Sequence, residues 1–231
     1  MNKTAFAKPL AALTILLSSG AVLTTSLAPE AEAGWDYLSH NHVKMNQWQL
    51  KSYYTQNPII QNTELEDRGN RWIAREHNGS GNAKELSLKT YRSLNSNTKY
   101  NIFVLDDNTS DTSRVDSVGG IVPFNVYKQS TTTVDVHHPY LWDVGSRFAK
   151  FDVALSTETV SVKMLDYQIR NHLIKNEKLY DKRESGVLNI TSKGQTFVIP
   201  LNHKLSEAYA DKHVKAEDII SIRVDLKRKD R

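Results

Sequence analysis

The chain has 231 residues, no cysteine and a formal net charge of +4. Without cysteine it has neither disulfide staples nor a thiol nucleophile, so its core is held by packing alone. The length accommodates a leader followed by one large domain or two small ones, and the cationic excess favours acidic partners.

Lys3 and Lys8 open the chain ahead of an apolar run, "LAALTILLSSGAVL". Ala31-Glu32-Ala33 then supplies small residues at the two positions a signal peptidase reads. Ser and Gly interrupt the run, which is too short to cross a bilayer. Residues 1–33 are therefore predicted to be a secretory signal peptide cleaved after Ala33. A secreted product with no membrane insertion is expected.

The next stretch, "NHVKMNQWQLKSYYTQ", predicts a helix. Asn41 is its expected N-cap, Val43, Trp48 and Tyr53 or Tyr54 its apolar face, and Pro58 its end. From Asn62 to Ala154 the texture changes to short runs rich in β-branched and aromatic residues, such as "RWIARE", "YNIFVLD", "TTTVDVHH" and "RFAKFDVAL". Turn clusters such as "HNGSGN" and "DDNTSDTS" separate them. Many short strands with frequent turns predict a small β-barrel, so residues 34–154 are expected to form a barrel domain led by a helix.

Residues 155–231 read differently. Val162, Leu165, Ile169 and Leu173 recur at steps of three, four and four, one continuous stripe on a helix over 161–176 with Ser161 as N-cap. A hairpin follows, turning at Lys193-Gly194, and then a last strand. That strand alternates Ile220, Ile222, Val224 and Leu226 against Ser221, Arg223, Asp225 and Lys227. The expectation is a second domain in which a long helix packs on a mixed sheet, within a mostly β, α+β chain. Residues 34–154 are charge-neutral, and residues 155–231 carry the whole excess of +4.

Enzyme chemistry has little support. The chain lacks the G-x-S-x-G elbow, the phosphate-binding loop and the dinucleotide glycine pattern. Asp166 and Arg170 stand four apart on one helical flank, a spacing that more often supports a helix than moves protons. His40, His42, His137 and His138 lack the i, i+4 spacing and the carboxylate neighbours of a metal site. No catalytic residue, metal or cofactor is expected. A nucleic-acid-binding barrel would interleave aromatics with Lys and Arg, and this barrel segment is neutral. No nucleic-acid partner is expected.

The stretch "LDYQIRNHLIKNEKLY" resembles a signature of the staphylococcal and streptococcal pyrogenic exotoxins. Leu165, Asp166, Arg170, Leu173, Leu179 and Tyr180 match it at the required spacing, while Thr157 replaces its usual opening Lys. "VGGIVPFNVY" is similar to a second signature through Gly119, Gly120 and Ile121, with Val118 and Val122 in place of its Tyr and Thr. The resemblance implies an N-terminal oligonucleotide/oligosaccharide-binding (OB) barrel and a C-terminal β-grasp domain. It also implies a structural role for the signature residues.

Within that superfamily the chain resembles the staphylococcal superantigen-like exoproteins. It lacks the cysteine loop of the enterotoxins, and Ser221-Ile222-Arg223 stands where some superantigens carry a zinc-binding His-x-Asp. The resemblance implies a non-enzymatic virulence factor that binds a leukocyte receptor or a serum immune protein. The alternatives are a true superantigen bridging class II histocompatibility molecules and the T-cell receptor, and a sialylated-glycan binder. Thr191 and Lys193 match glycan donors in the hairpin, whereas "LSEAYADKH" follows where more donors belong. The basic face carrying Thr191, Lys193, Arg223 and Lys227 is the candidate host-binding surface, on a monomer or weak dimer.

Overall fold

The computed structural model describes residues 45–69, 71–77, 83–89, 94–107, 114–124, 127–141 and 145–228. The signal-peptide reading of residues 1–33, the helix cap at Asn41 and the histidines at 40 and 42 lie outside these.

Helix α1 (Gln47–Thr55) starts where its capping chemistry puts it. The Asn46 side chain accepts the Gln49 N–H and the Gln49 side chain accepts the Asn46 N–H, both at 2.9 Å. This reciprocal box satisfies two donors that a helix start leaves open. The buried face is Leu50, Tyr53 and Tyr54. Trp48 does not line it: at two residues from Leu50 it points round the helix and is 74% exposed.

Seven strands follow: β1 (Ile59–Glu64), β2 (Glu66–Asp67), β3 (Trp72–His77), β4 (Ala83–Lys89), β5 (Lys99–Val104), β6 (Arg114–Val118) and β7 (Ile121–Pro123). They form two small sheets, in the orders β1-β5-β7 and β2-β3-β4-β6. Alternate residues from both meet in one core that includes Trp72, Leu86, Leu88, Tyr100, Ile102 and Val115. Two small sheets on one shared core fit the period-2 pattern of the sequence, and this unit is called the barrel.

The larger sheet has five strands, in the order β12-β11-β14-β8-β9. These are β8 (Tyr127–Leu141), β9 (Gly145–Thr157), β11 (Arg183–Ser192), β12 (Gln195–Pro200) and β14 (Ile219–Arg228). Helix α2 (Val162–Asn176) covers one face, with Ser161 as its N-cap accepting the Met164 N–H at 3.1 Å. A two-stranded ladder, β10 (Thr159–Ser161) with β13 (His213–Lys215), flanks it. Hairpin β11–β12 turns at Lys193–Gly194, where Gly194 takes φ 81°.

Two placements differ from the sequence reading. Strand β8 and most of β9 lie before residue 155, in the segment expected to be barrel, yet β8 pairs in parallel with β14 from Ile222↔Val134 to Asp225↔His137. Their inward residues explain this: Val134, Val136, Val153 and Leu155 share a core with Ile222, Val224 and the α2 stripe. Ile220, expected inside, is 66% exposed. It sits beside an irregularity, where the β11–β14 register shifts between Thr191 and Ser192, and the alternation starts cleanly only at Ile222.

Candidate functional site

The signature residues lie inside the molecule. Arg170 is fully buried, and its Nε donates to Asp166 Oδ1 at 2.6 Å. Nη1 donates to Tyr180 Oη (2.9 Å), Leu201 O (3.0 Å) and His203 O (2.8 Å), and Nη2 donates to Pro200 O (3.2 Å). The guanidinium also lies 4.3 Å from the Tyr54 ring centroid. Burial works to lower the Arg170 pKa, but the Asp166 carboxylate and the rings of Tyr180 and Tyr54 outweigh it, and the pKa is raised.

Tyr54 closes the circuit from α1. Its hydroxyl donates to Asp166 Oδ2 at 2.7 Å and accepts the Leu205 N–H at 3.1 Å. Tyr180 sits at φ 69°, a strained conformation for an aromatic residue. Its hydroxyl holds Leu201 O at 2.6 Å and its N–H holds Arg183 O at 2.7 Å. Burial raises the pKa of both hydroxyls, so both stay protonated donors. This constellation ties α1, α2 and the loop after β12 together, and it offers no solvent-facing group for catalysis.

Gly119 and Gly120 hold the barrel against the segment that follows β12. Gly120 N–H donates to Ala210 O and Phe103 N–H donates to Gly120 O, both at 2.8 Å. A Cβ on Gly119 would lie 1.7 Å from Ala210 O, and both glycines have positive φ, 48° and 88°. Lys163 of α2 crosses the same junction and donates from Nζ to Ser117 Oγ of β6. Burial pulls its ammonium down to about 8, opposed by the nearby Asp107. Asp107 in turn pairs with Lys204 at 3.4 Å. Lys163 and Ser117 were not singled out by sequence reasoning, because a lone polar residue in an apolar-periodic segment looks like a solvent position; Tyr54 was expected on the apolar helix face, where it lies, but not as a hydrogen-bond partner of Asp166.

Thr191, Arg223 and Lys227 lie on the sheet face opposite α2, and Lys193 lies in the β11–β12 turn. Thr191 is registered with Ser221, Asn189 with Arg223 and Ser185 with Lys227. The face is of mixed sign rather than purely basic. Arg223 Nη2 is 2.8 Å from Asp225 Oδ1, Lys150 pairs with Asp135 at 2.9 Å, and Lys193 pairs with Asp218 at 2.9 Å. His137 Nδ1 reaches Asp225 Oδ1 at 3.2 Å and stacks on Phe148, centroids 4.8 Å apart, while Phe148 is 69% exposed. Such a surface suits recognition by shape and paired polar groups better than simple attraction of an anion.

The neighbouring His138 points to the other side, buried with Nε2 3.2 Å from Glu177 Oε2, so the two histidines do not converge. Among the described residues no group of three or more His, Cys, Asp or Glu side chains converges on a common point. Among the same residues no helix is long and apolar enough to cross a membrane. A cleft of about 380 Å³ lies between Tyr100, Ile121 and Pro123 of the barrel and Asp211 and His213.

Residues 140–226 match the family model for the staphylococcal/streptococcal toxin β-grasp domain. Staphylococcal superantigen-like 7 of Staphylococcus aureus (strain Newman) is 31% identical over 129 residues, 54% of this chain and 55% of that protein. The chain thus spans about half the length of the curated relatives it matches. Among solved structures, a superantigen-like protein of S. aureus NCTC 8325 superposes with a TM-score of 0.67 at 22% identity, over 79% of this chain and 98% of that one. Staphylococcal superantigen-like protein 10 gives 0.68 at 20% identity, over 79% and 98%. An S. aureus superantigen-like protein in complex with sialyl-Lewis X gives 0.67 at 19% identity, over 80% and 100%. At these identities the likeness is one of fold, and it spans both the barrel and the larger sheet.

Proposed function

We propose, from the match of residues 140–226 to the staphylococcal/streptococcal toxin β-grasp domain, that the chain is a secreted, non-enzymatic ligand of a host innate-immune molecule. The target is a leukocyte receptor or a serum immune protein, and binding it blunts the host response. The leader is removed after Ala33 and the product is released.

One observation carries this reading. The buried Asp166 and Arg170 are spent on each other, while the five-stranded sheet turns a broad face of paired polar residues to solvent. A surface of that kind suits recognition by shape and paired polar groups. The face around Thr191, Arg223 and Lys227 is the proposed host-binding surface.

A second reading is favoured by the neighbour solved with sialyl-Lewis X. Thr191 and Lys193 stand in a hairpin where glycan donors are expected, so a sialylated glycan is the alternative ligand. A screen of labelled mature chain against purified leukocyte receptors, serum proteins and leukocytes separates the two. Binding that survives sialidase treatment supports the protein target, and binding lost with sialic acid supports the glycan. Vigorous, receptor-family-selective T-cell proliferation would replace both with a true superantigen.

A further inference from the structure

The five-stranded sheet has two edges, and they are finished differently. Edge strand β12 is six residues long and ends in Pro200, which has no N–H to offer. Tyr209 Oη also occupies its Val198 carbonyl at 3.0 Å. Edge strand β9 runs for thirteen residues, and its register with β8 is unbroken from Ser130↔Leu155 to His138↔Arg147. A long, regular edge is a template for another strand.

The outward direction of β9 follows from two contacts. Gln168 Nε2 donates to Ala154 O at 3.5 Å, a side chain standing where a neighbouring strand would. The main-chain groups of Ala154 therefore face away from β8, and alternation turns those of Phe148, Lys150 and Asp152 the same way. Thr133 Oγ1 to Asp152 (2.8 Å) and Lys150 to Asp135 (2.9 Å) are close cross-strand side-chain pairs, as found where opposed residues do not exchange main-chain bonds. Both contacts leave the main chain at 148, 150, 152 and 154 available at the edge.

We propose that this edge is a self-pairing surface, through which two copies of the chain join their sheets antiparallel about a two-fold axis at Phe151. In that register Lys150 opposes Asp152 of the second copy, and Asp152 opposes its Lys150. Both pairs exchange main-chain hydrogen bonds and both are of opposite charge. The bulky, exposed Phe148 opposes the small Ala154, and Ala149 opposes Val153. Moving the axis to residue 150 would set Lys150 against Lys150, and moving it to residue 152 would set Asp152 against Asp152. The charge pattern thus selects one register and one occupant, a second copy of this chain. The long Gln168 bond to Ala154 O gives way to the N–H of the second copy's Phe148.

Sedimentation of the mature chain over a concentration series tests the pairing. A monomer–dimer equilibrium is expected for the wild type, and Lys150→Glu or Asp152→Lys alone raises the dissociation constant about tenfold. Mixing those two variants restores association, because glutamate and aspartate on one edge then meet two lysines on the other. Both positions are exposed on the sheet surface, and unchanged thermal unfolding confirms that each variant is folded. A wild type that stays monomeric overturns the proposal, as do variants that self-associate like the wild type or a mixture that remains monomeric. If the wild type is monomeric while both variants lose a host protein, the edge takes a foreign strand instead.

Discussion

Tyr54 Oη and Asp166 Oδ2 are 2.7 Å apart across 112 positions of sequence, and this bond fastens α1 to the buried charge pair of α2. Tyr54→Phe keeps the ring over Arg170 but removes the donor to Asp166 and the acceptor for the Leu205 N–H. A loss of about 1–3 kcal/mol is expected. Arg170→Ala costs more, about 3–5 kcal/mol, because Asp166 is left buried without its counter-ion. Urea unfolding reads both, and host binding by the folded fraction should be unchanged. A stable Arg170→Ala protein that no longer binds would contradict the structural role.

Gly119 and Gly120 set the second expectation. Gly119→Ala puts a methyl group on the Ala210 carbonyl, 1.7 Å away, at φ 48° where L side chains are strained. Gly120→Ala meets Phe103 O at 2.3 Å. In each case backbone must move, across the junction for Gly119 and within the barrel for Gly120, so a loss of roughly 2–4 kcal/mol is expected. Gly194→Ala is the control: it shares a positive φ but has open space around it, and should cost about 1 kcal/mol or a little more. Equal losses at all three positions would show that conformation alone, without the junction, explains the glycines.

Local chemistry made part of this architecture legible in advance. The 3-4-4 stripe of Val162, Leu165, Ile169 and Leu173 fixes α2 and its buried face, and Ser161 marks its start. Lys193-Gly194 marks the hairpin, since glycine accepts the left-handed turn position. What escaped were relationships between distant segments. Nothing local in "TTTVDVHH" states that Val134 will pair beside Ile222 of a strand some ninety residues later, so β8 and β9 read as barrel. Lys163 looks like a surface residue of an amphipathic helix and Tyr54 like a plain apolar-face residue; only the approach of β6 buries the first, and only the 200–205 loop and α2 give the hydroxyl of the second its partners. On the sheet face, Asp225 lies between Arg223 and Lys227 on the same strand, but Asp135 comes from β8, and only the sheet register sets it beside Arg223.

Lys163 makes stability depend on pH in an uncommon direction. Ser117 of β6, Asp107, Lys204 and Asp166 surround it, and burial lowers its pKa from 10.5 to about 8. Between those values the unfolded chain holds a proton that the folded chain has released, so stability rises with pH across that window. The gain from pH 7 to 10 is about 2 kcal/mol. Above pH 10 the sign reverses. Tyr53, Tyr54 and Tyr180 keep protons that their unfolded counterparts lose, because burial raises their pKa values. Urea unfolding at pH steps should therefore show a maximum near pH 10. Lys163→Met should flatten the rising limb and leave the fall; an unchanged rising limb would assign it to another group.

Charge reversal tests the proposed host-binding face, and the pairing pattern predicts unequal effects along it. Lys193 is held by Asp218, a hydrogen bond that raises its pKa, and it lies in the turn beyond the strands. Arg223 sits mid-strand beside Asp225, with Asn189 and Asp135 at the same level on its neighbours. Lys227 lies four residues further, about 13 Å along the strand. A ligand centred on the sheet should lose about tenfold in affinity with Arg223→Glu, less with Lys227→Glu and least with Lys193→Glu. Thermal unfolding should move little in each case, since exposed ion pairs contribute at most about 1 kcal/mol. A sialylated-glycan ligand gripped by the hairpin reverses this order, with Lys193→Glu and Thr191→Ala the most damaging. If all three reversals leave leukocyte binding intact, the ligand engages another surface.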